Sequence, residues 1–447
     1  MYKKIAKMAI PIAFQNLINI GVNAMDTFMI GGISQWQLSG VAIAAQPFFI
    51  FNLFFFGLAS GGCVLTSQFF GKKDKEAIKT IASFMMKLIM VIAVIFIVIL
   101  EIWGRPVLSL FTSDPKILAY GVAYMQIQCL TYIFIGYTAV YLILLRSLGN
   151  VTTSLKIYGS SLVMNICLNS ILIYGLFDMP RLEIIGAAIA TLISRIFESI
   201  LVTYYMHHCD DLPMQLSDFS RSAKPYYGRL IRYTLPVLLS DSTWGLGATI
   251  AMSYIGHISS SALAAFSLVI TLQDLTGVAI MGVGNAAGIM TGQFIGSGRL
   301  DEVKELSRHL LRMALVIGCV IVGILLVIRP FAPYMINSTQ QTATILQNMI
   351  FVTAYYMFFE AIEAVMMMGI LRGAGDTKFC ARVDMSVFWI IRVFLAGFAT
   401  YVLGANAIIV YAILSSDELA RVIFGYRRYR SDQLIHETTL STEGEQV

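Results

Sequence analysis

The sequence predicts an all-α integral membrane protein with twelve transmembrane helices, arranged in two six-helix lobes related by a pseudo-two-fold axis along the membrane normal. Three observations predict it: an apolar composition, twelve apolar stretches of spanning length, and an internal repeat. Of the 447 residues, 57% are hydrophobic and 13% are charged, and the mean hydropathy is +0.76. Because soluble domains carry about 25% charged residues, this composition indicates lipid as the solvent.

The apolar stretches define the predicted spans, because a helix needs roughly 20 apolar residues to cross the hydrocarbon core. Basic residues lie mostly in alternate connections and at both ends of the spanning region, so we expect both termini on the cytoplasmic side of the plasma membrane. Six spans per copy then give both copies the same direction across the membrane. The spans lie near residues 8–31, 41–69, 80–103, 119–144, 155–177, 185–206, 230–255, 262–290, 308–328, 345–370, 381–404 and 407–425.

The internal repeat has a spacing of about 225 residues. Residues 68–71 (QFFG) end one apolar stretch, and residues 293–296 (QFIG) end another. Pro11 and Pro236 keep the same spacing, and each prolyl ring removes a backbone hydrogen bond, so we expect both to bend their helices. Two copies of one helical unit are typical of secondary transporters.

The polarity of the connections predicts the domain boundaries. Residues 1–208 form the N-terminal lobe, and residues 230–429 form the C-terminal lobe. Residues 209–229 are polar and contain two prolines, which predicts a cytoplasmic linker between the lobes. Residues 430–447 are polar and without periodicity, which predicts a cytoplasmic tail.

Several functional classes have little support in the sequence. The net charge of +5 comes from the basic connections and gives no indication of nucleic-acid binding. The six cysteines stand singly and the five histidines lack ligand spacing, so we expect neither a disulfide framework nor a metal site. A phosphate-binding Gly-x-x-x-x-Gly-Lys-Ser/Thr loop is also missing from the sequence, which excludes ATP hydrolysis within this chain. We therefore expect no cofactor and no enzymatic activity.

A set of motifs along the whole chain resembles the multidrug and toxic compound extrusion (MATE) transporters. The motifs are Pro11 followed by Asn16, an acid at Asp26, the two Gln-x-x-Gly helix ends, residues 371–378 (LRGAGDTK), and Asn165 and Asn169 before residues 173–175 (IYG). The resemblance implies a two-lobe exporter that exchanges H⁺ or Na⁺ for a cytosolic organic compound. It also implies that the acid of the first span acts with polar side chains of the fifth.

The candidate cation-coupling residues are Asp26, Asn165 and Asn169. Asp26 lies five residues before the outer end of the first span, with no basic residue within one helical turn. Acids inside a bilayer are costly and mark ion pathways, whereas the alternative is an acid facing water at the outer mouth. Asn165 and Asn169 share one face of the fifth span and can offer oxygens to Na⁺, or they can simply hold two helices together. Some MATE members carry Asp in place of Asn169, so this chain has one carboxylate fewer.

The second lobe carries further intramembrane acids at positions that differ from those of the first. Such acids can attract an organic cation or bind a proton, or they can neutralise buried arginines. We expect Arg195 to pair with Glu198 on one helix face, and Arg392 to reach Glu360 or Glu363 from another helix. The candidate residues of the substrate cavity are Asp241, Asp274, Tyr356, Glu360, Glu363, Met367 and Asp384.

The predicted function is cation-coupled antiport by alternating access, which exports organic compounds of cationic or amphipathic character. The expected partners are the small-molecule substrate and membrane lipid, without nucleic acid, and the expected state is a monomer. One alternative is a lipid-linked saccharide flippase of similar architecture, which would need a basic cavity for pyrophosphate. A membrane enzyme is the other, and it would need a nucleophile–base pair or metal-binding spacing within the spans.

Overall fold

The computed structural model describes residues 1–209, 212–221, 226–335 and 340–431, which fold into fifteen α-helices linked by short turns. Hydrophobic residues dominate these helices, as the lipid environment requires. The helices are α1 (Tyr2–Gly31), α2 (Gln35–Gly71), α3 (Lys75–Ser109), α4 (Pro115–Gln128), α5 (Thr131–Ser147), α6 (Val151–Tyr174), α7 (Glu183–His207), α8 (Tyr227–Ile258), α9 (Ser260–Gly296), α10 (Leu300–Ile328), α11 (Gln340–Glu363), α12 (Thr377–Val387), α13 (Ala396–Tyr401), α14 (Ala407–Leu414) and α15 (Asp417–Tyr429).

Each of the twelve predicted spans corresponds to one helix or to one group of consecutive helices. Within the described residues, nine helical segments are long and apolar enough to cross a membrane, and the bent pair α4 and α5 makes a tenth. The seventh span is α8, whose hydropathy is lowered by four consecutive polar residues, 240–243. The twelfth span is divided into α14 and α15, each of which is shorter than a full span.

Three spans are less regular than the sequence suggests, and local side chains explain each break. In α3, Trp103 leaves helical geometry three residues before Pro106, whose ring disrupts the preceding turn. The bend of 45° between α4 and α5 lies next to Thr131, whose Oγ1 donates to the Gln128 carbonyl at 2.6 Å. At the start of α15, the Ser416 Oγ donates to the Ile413 carbonyl at 2.7 Å. Such hydroxyl bonds compete with the helical ladder and bend helices.

Two spans contain π-helical segments, which proteins often place at functional sites. The first, Ala364–Leu371, continues α11, and the second, Phe388–Leu395, joins α12 to α13. The second segment carries Arg392, one of the buried arginines discussed below.

The chain forms two compact units, and α1, α2 and α8 contribute to both. We call Phe14–Thr66 with Asp74–Ile231 the N-unit. We call Met1–Ala13, Ser67–Lys73 and the described residues from Arg232 onward the C-unit. Along α1 the division falls two residues after Pro11.

The repeated LRSLG and LRGAG motifs form the same helix end in each unit. Gly149 and Gly375 have φ values of 81° and 89°, a left-handed conformation that glycine adopts without steric cost. The Gly149 N–H donates to the Arg146 carbonyl, and the Gly375 N–H donates to the Arg372 carbonyl, both at 2.9 Å. With the next N–H bonded to a carbonyl five residues earlier in both cases, these are Schellman caps. The repeat therefore fixes where the two helices end.

The two Gln-x-x-Gly motifs meet each other within the C-unit, where the end of α2 crosses the end of α9. A Cβ atom on Gly71 would collide with the carbonyl of Gln293, and one on Gly296 would collide with the carbonyl of Gln68. The contact is thus reciprocal, because each glycine makes room for the backbone of the other motif. Gln68 is fully buried, and its Nε2 donates to the Gly373 carbonyl at 3.2 Å.

The segment between α7 and α8 is attached to α3 of the N-unit. Its short 3-10 helix, Leu216–Ser220, carries Asp218, which pairs with Lys79 at 3.4 Å and with Arg221 at 2.8 Å. Burial opposes the ionisation of Asp218, but the Gln215 N–H and then these two cations hold its pKa below the usual value. These bonds fix the described part of the connecting segment to α3.

Candidate functional site

A cluster of polar side chains surrounds Asp26 inside the N-unit. The Asn169 Nδ2 donates to one carboxylate oxygen of Asp26 at 2.5 Å and also to the Asn165 Oδ1 at 3.1 Å. The Thr191 Oγ1 donates to the other carboxylate oxygen at 3.4 Å and accepts from the Asn165 Nδ2 at 3.3 Å. All four side chains are buried. The structure therefore joins α1, α6 and α7 through one carboxylate, two amides and one hydroxyl.

One oxygen of this cluster remains without a hydrogen-bond partner. The Asn169 Oδ1 is buried and accepts no hydrogen bond from the described residues. A buried polar atom without a partner is costly, so such an atom in a native site suggests a ligand, ion or water. Amide, hydroxyl and carboxylate oxygens are ligands suited to a small hard cation.

The arginine nearest to Thr191 along the chain is already paired with an acid. Arg195 lies one turn after Thr191 on α7, and its Nη1 lies 2.8 Å from the Oε2 of Glu198. The Glu198 side chain is almost fully buried. Among the described residues, no Lys, Arg or His forms an ion pair with Asp26. The carboxylate is therefore held by neutral groups.

The C-unit contains a different arrangement, in which buried arginines connect acids from several helices. Arg372 lies at the end of the π segment that continues α11. Its Nη1 is 3.0 Å from the Oδ1 of Asp241, and its Nη2 is 3.4 Å from the Oδ2 of Asp384. The same Nη2 donates to the Ser240 Oγ at 2.7 Å. Arg372 thus ties α8 to α12.

The partner of Arg392 is not the one expected from the sequence. Its Nε lies 2.6 Å from the Oδ2 of Asp417, a fully buried carboxylate on α15. The Nη2 of Arg421 lies 3.1 Å from the same oxygen, and its Nη1 lies 2.7 Å from Glu418. The prediction that Arg392 pairs with Glu360 or Glu363 is wrong, because the break between α14 and α15 brings Asp417 closer.

Glu360 and Glu363 face this network without forming an ion pair in it among the described residues. Glu360 lies within electrostatic range of Arg392 and Glu418, and Glu363 within range of Arg421 and Arg372. The Glu360 Oε2 is buried and accepts no hydrogen bond from the described part of the chain. Counted together, the described network has three arginines and six acids: Arg372, Arg392, Arg421, Asp241, Asp384, Asp417, Glu418, Glu360 and Glu363.

The other cavity candidates lie in different surroundings. Tyr356 is buried on α11, within electrostatic range of Glu360. Met367 is fully buried and packs against Gly425 of α15, so it contributes no accessible surface in this conformation. Asp274 is exposed on α9 and forms no ion pair among the described residues. The structure thus groups Tyr356 with the acids and leaves Asp274 apart.

Five residues of these two sites were missed in the sequence, and one of them, Arg372, had been noted only as part of the repeated LRGAG motif. Thr191 was missed because a lone threonine in an apolar helix gives no signal of its own. Asp417, Glu418 and Arg421 do carry a signal, since acids one turn before an arginine inside a predicted span are unusual. That pattern would have identified α15 as part of the network.

Comparisons with known proteins agree with this architecture. The MatE family model matches twice, at residues 11–171 and 236–398, and the two matches begin 225 residues apart. The chain is 23% identical to the probable multidrug resistance protein YoeA of Bacillus subtilis, covering 88% of this chain and 86% of the relative. It is 22% identical to a probable multidrug resistance protein NorM of Thermotoga maritima, with coverages of 84% and 80%.

Solved structures give the same result for the fold. A MATE crystal structure in the bent conformation superposes with a TM-score of 0.85 at 18% identity, covering 96% of this chain and 95% of that chain. A mutant of the Vibrio cholerae MATE transporter VcmN superposes with a TM-score of 0.86 at 18% identity, with coverages of 97% and 98%.

The protein is thus a multi-span membrane transporter and not an enzyme. The two matches to the family model together cover well over half of the sequence. The chain belongs to the MatE family. The predicted fold of twelve transmembrane helices in two lobes is confirmed by the match to MATE structures.

Proposed function

We propose that this protein is a cation-coupled antiporter that exports organic compounds, cationic or amphipathic in character, by alternating access. The names of its relatives, probable multidrug resistance proteins, support an organic substrate. The geometry around Asp26 supports coupling to a cation.

The observation that carries the proposal is that the described hydrogen-bond partners of Asp26 are neutral, while Arg195, within electrostatic range, is paired with Glu198. A lone carboxylate inside a membrane protein is expensive unless it binds a proton or a cation. Thr191 and Asn169 donate to it, but their hydrogen bonds bring no positive charge. A bound proton or small cation supplies that charge. Its release leaves Asp26 negatively charged, so the bound and free forms of the N-unit favour different conformations. Asp26 with Asn165, Asn169 and Thr191 is therefore the proposed coupling site.

The coupling ion is H⁺ or Na⁺. A single carboxylate is sufficient for a proton. A sodium ion would use the carboxylate of Asp26 together with the unpartnered Oδ1 of Asn169 and the hydroxyl of Thr191. The two ions make the same demand on the site, because each adds one positive charge to Asp26.

The acidic network of the C-unit supports an organic cation as substrate. Its described members include three more acids than arginines, and Asp241 is partly exposed with 26% of its side-chain surface accessible. Excess carboxylates bind protons or cations, because uncompensated negative charge in a membrane is unfavourable. In this proposal Asp241, Glu360 and Glu363 attract the substrate, while Asp384 stabilises the network through Arg372 and Arg421.

Alternating access requires helices that can bend and contacts that can separate. Pro11 lies two residues before the point where α1 passes from the C-unit to the N-unit, so bending there would move Asp26 relative to the first turns of α1. Pro236 is the equivalent position in α8. The reciprocal crossing of α2 and α9, where each glycine packs against a backbone carbonyl of the other motif, is the contact that separates in this proposal.

The orientation and setting complete the proposal. Basic residues cluster at the α2–α3 and α9–α10 connections and at the C-terminal end of the spans, which supports cytoplasmic termini in a plasma membrane. We infer a monomer, because each unit contains its own complete polar cluster. The polar tail proposed for residues 430–447 lies almost entirely outside the described residues.

A lipid-linked saccharide flippase has weaker support. Such a protein needs basic side chains available for a pyrophosphate group. The buried arginines of the C-unit, Arg372, Arg392 and Arg421, are each paired with carboxylates. The excess of acids over arginines in this network disfavours an anionic substrate.

The test is transport in proteoliposomes with a fluorescent organic cation and with pH and Na⁺ gradients imposed one at a time. We expect one gradient to drive uptake against the substrate gradient and the other to have little effect. Transport that proceeds equally without either gradient would contradict cation coupling and leave a facilitative carrier.

A further inference from the structure

A shallow surface groove of about 220 Å³ lies between α12 and α15 of the C-unit. Four of its six lining residues are apolar, and neither the coupling site nor the ion-pair network uses them. The lining residues are Phe379, Arg382, Val383, Ser386, Val387 and Phe424.

Charge and hydrophobicity change along the groove. Lys378 and Arg382 are exposed in the first two turns of α12, and Arg427 is exposed near the end of α15. Val387 lies ten residues after Thr377, the first residue of α12, which places it about 15 Å along the axis from the start of the helix at 1.5 Å per residue. Phe424, 46% exposed, lies one turn inside Arg427. The groove therefore has cations at the helix ends and an apolar floor beyond them.

These cations are not neutralised by neighbouring acids. Within the described part of the chain, no ion pair involves Lys378, Arg382 or Arg427, and no acid lines the groove. The acids on either side of Arg382 along the chain are bonded to other arginines. Asp376, just before α12, accepts a hydrogen bond from Arg428 at 2.6 Å, and Asp384, inside α12, lies 3.4 Å from Arg372. The groove thus presents an excess of positive charge beside an apolar surface.

We propose that the groove binds one anionic glycerophospholipid. The phosphate lies on Arg382, flanked by Lys378 and Arg427, and an acyl chain follows Val383, Val387 and Phe424. Basic pockets between transmembrane helices recognise anionic headgroups in this way, and each cation near the surface contributes about 1 kcal/mol. Burying the chain adds about 0.8 kcal/mol per CH₂ group removed from water.

Such a lipid would connect the two helices that the network also connects. Val383 adjoins Asp384, which lies 3.5 Å from the Nε of Arg421 on α15. A lipid across α12 and α15 would stabilise the same helix pair from the membrane side. We therefore expect anionic lipid to raise the unfolding temperature of the purified protein. This inference does not depend on the proposed transport function.

The test is native mass spectrometry of the detergent-purified protein titrated with phosphatidylglycerol or phosphatidylcholine of the same chains. Arg382→Gln removes the central cation. Arg308→Gln is a matched control, because Arg308 is also exposed and also donates its Nε to the carbonyl of a lysine four residues earlier. We expect the affinity for the first bound phosphatidylglycerol to fall about fivefold in Arg382→Gln, as the loss of about 1 kcal/mol requires. The same affinity should be unchanged in Arg308→Gln.

A second variant, Val387→Trp, fills the groove and should remove both the tight phosphatidylglycerol and its stabilising effect on the unfolding temperature. Equal weakening by Arg308→Gln would mean diffuse surface attraction and would overturn the proposal. Phosphatidylcholine that binds the wild type as tightly as phosphatidylglycerol would overturn it as well. So would a wild-type spectrum that shows a dimer in place of bound lipid.

Discussion

Arg146 and Arg372 occupy equivalent places in the repeat, yet their partners differ in charge. The Nε of Arg146 donates to the neutral Gln15 amide oxygen at 2.9 Å in the N-unit. In the C-unit, Arg372 contacts Ser240, which is the repeat equivalent of Gln15, and also the carboxylates of Asp241 and Asp384. The backbone cap beside each arginine is the same. The repeat therefore specifies backbone geometry, whereas side-chain substitution specifies electrostatics.

The difference extends to the whole of each unit. The acid of the N-unit cluster, Asp26, accepts hydrogen bonds from one neutral amide and one hydroxyl, so its charge can be exchanged by binding a cation. The C-unit acids are largely tied to arginines on other helices, so their charges hold α8, α12 and α15 together. Fixed ion pairs are suited to structure, and an uncompensated carboxylate is suited to coupling.

Substituting the two arginines tests this comparison and should give the largest difference in stability. Arg372→Leu leaves Asp241 without its cation and Asp384 with Arg421 alone, and removing one partner of a buried ion pair costs about 3–5 kcal/mol. Arg146→Leu leaves only an amide unsatisfied, which costs about 1–3 kcal/mol. Thermal unfolding of the purified proteins in detergent measures both. Equal losses would mean that the charges of the C-unit network do not stabilise it.

The crossing of the two Gln-x-x-Gly motifs should be sensitive to a single methyl group. Gly296→Ala places a Cβ against the Gln68 carbonyl, and overpacking of this kind costs about 1–3 kcal/mol. Gly277→Ala is the control on the same helix, because a Cβ there meets nothing within 4 Å. Unfolding temperatures of the two variants should differ accordingly. A harmless Gly296→Ala would remove the packing role assigned to the repeated motif.

The smallest effect is expected at Thr191. Thr191→Val removes the hydroxyl that bonds Asp26 and Asn165, at a cost of about 1 kcal/mol, or roughly fivefold in apparent affinity for the coupling ion. Ser194→Ala, one turn further along α7, removes a hydroxyl bonded only to the Ala190 carbonyl of its own helix in the described contacts. The concentration of H⁺ or Na⁺ that gives half-maximal transport should shift in the first variant and remain unchanged in the second.

Much of the fold follows from the sequence, because length, hydropathy and the repeat each constrain helices directly. The twelve spans match the described helices, and the two LRxxG turns end helices as glycine requires. The bend between α4 and α5 was not predicted, since it lies at Cys129 and Leu130 with no proline or glycine to indicate it. The break before Asp417 was not predicted either, since it lies at Ser415 and Ser416 with no proline or glycine to indicate it.

The sites were only partly predictable, for reasons of distance along the chain. Asp26, Asn165 and Asn169 come together as the family resemblance implied, and the Arg195–Glu198 contact is local to one helix. Arg392 and Asp417 meet because two irregular helical segments place them side by side, and no local spacing encodes that contact. Tertiary contacts between polar residues of different helices require the structure.

The most direct measurement compares Asp26→Asn with the wild type in proteoliposomes under whichever gradient drives transport. Asn keeps the size of the side chain and one of its two acceptor oxygens but carries no exchangeable charge. We predict at least a tenfold loss of gradient-driven transport, taking as a guide the 1.4 kcal/mol that corresponds to tenfold in rate, with an unfolding temperature close to that of the wild type. Undiminished gradient-driven transport by a folded Asp26→Asn protein would contradict the account.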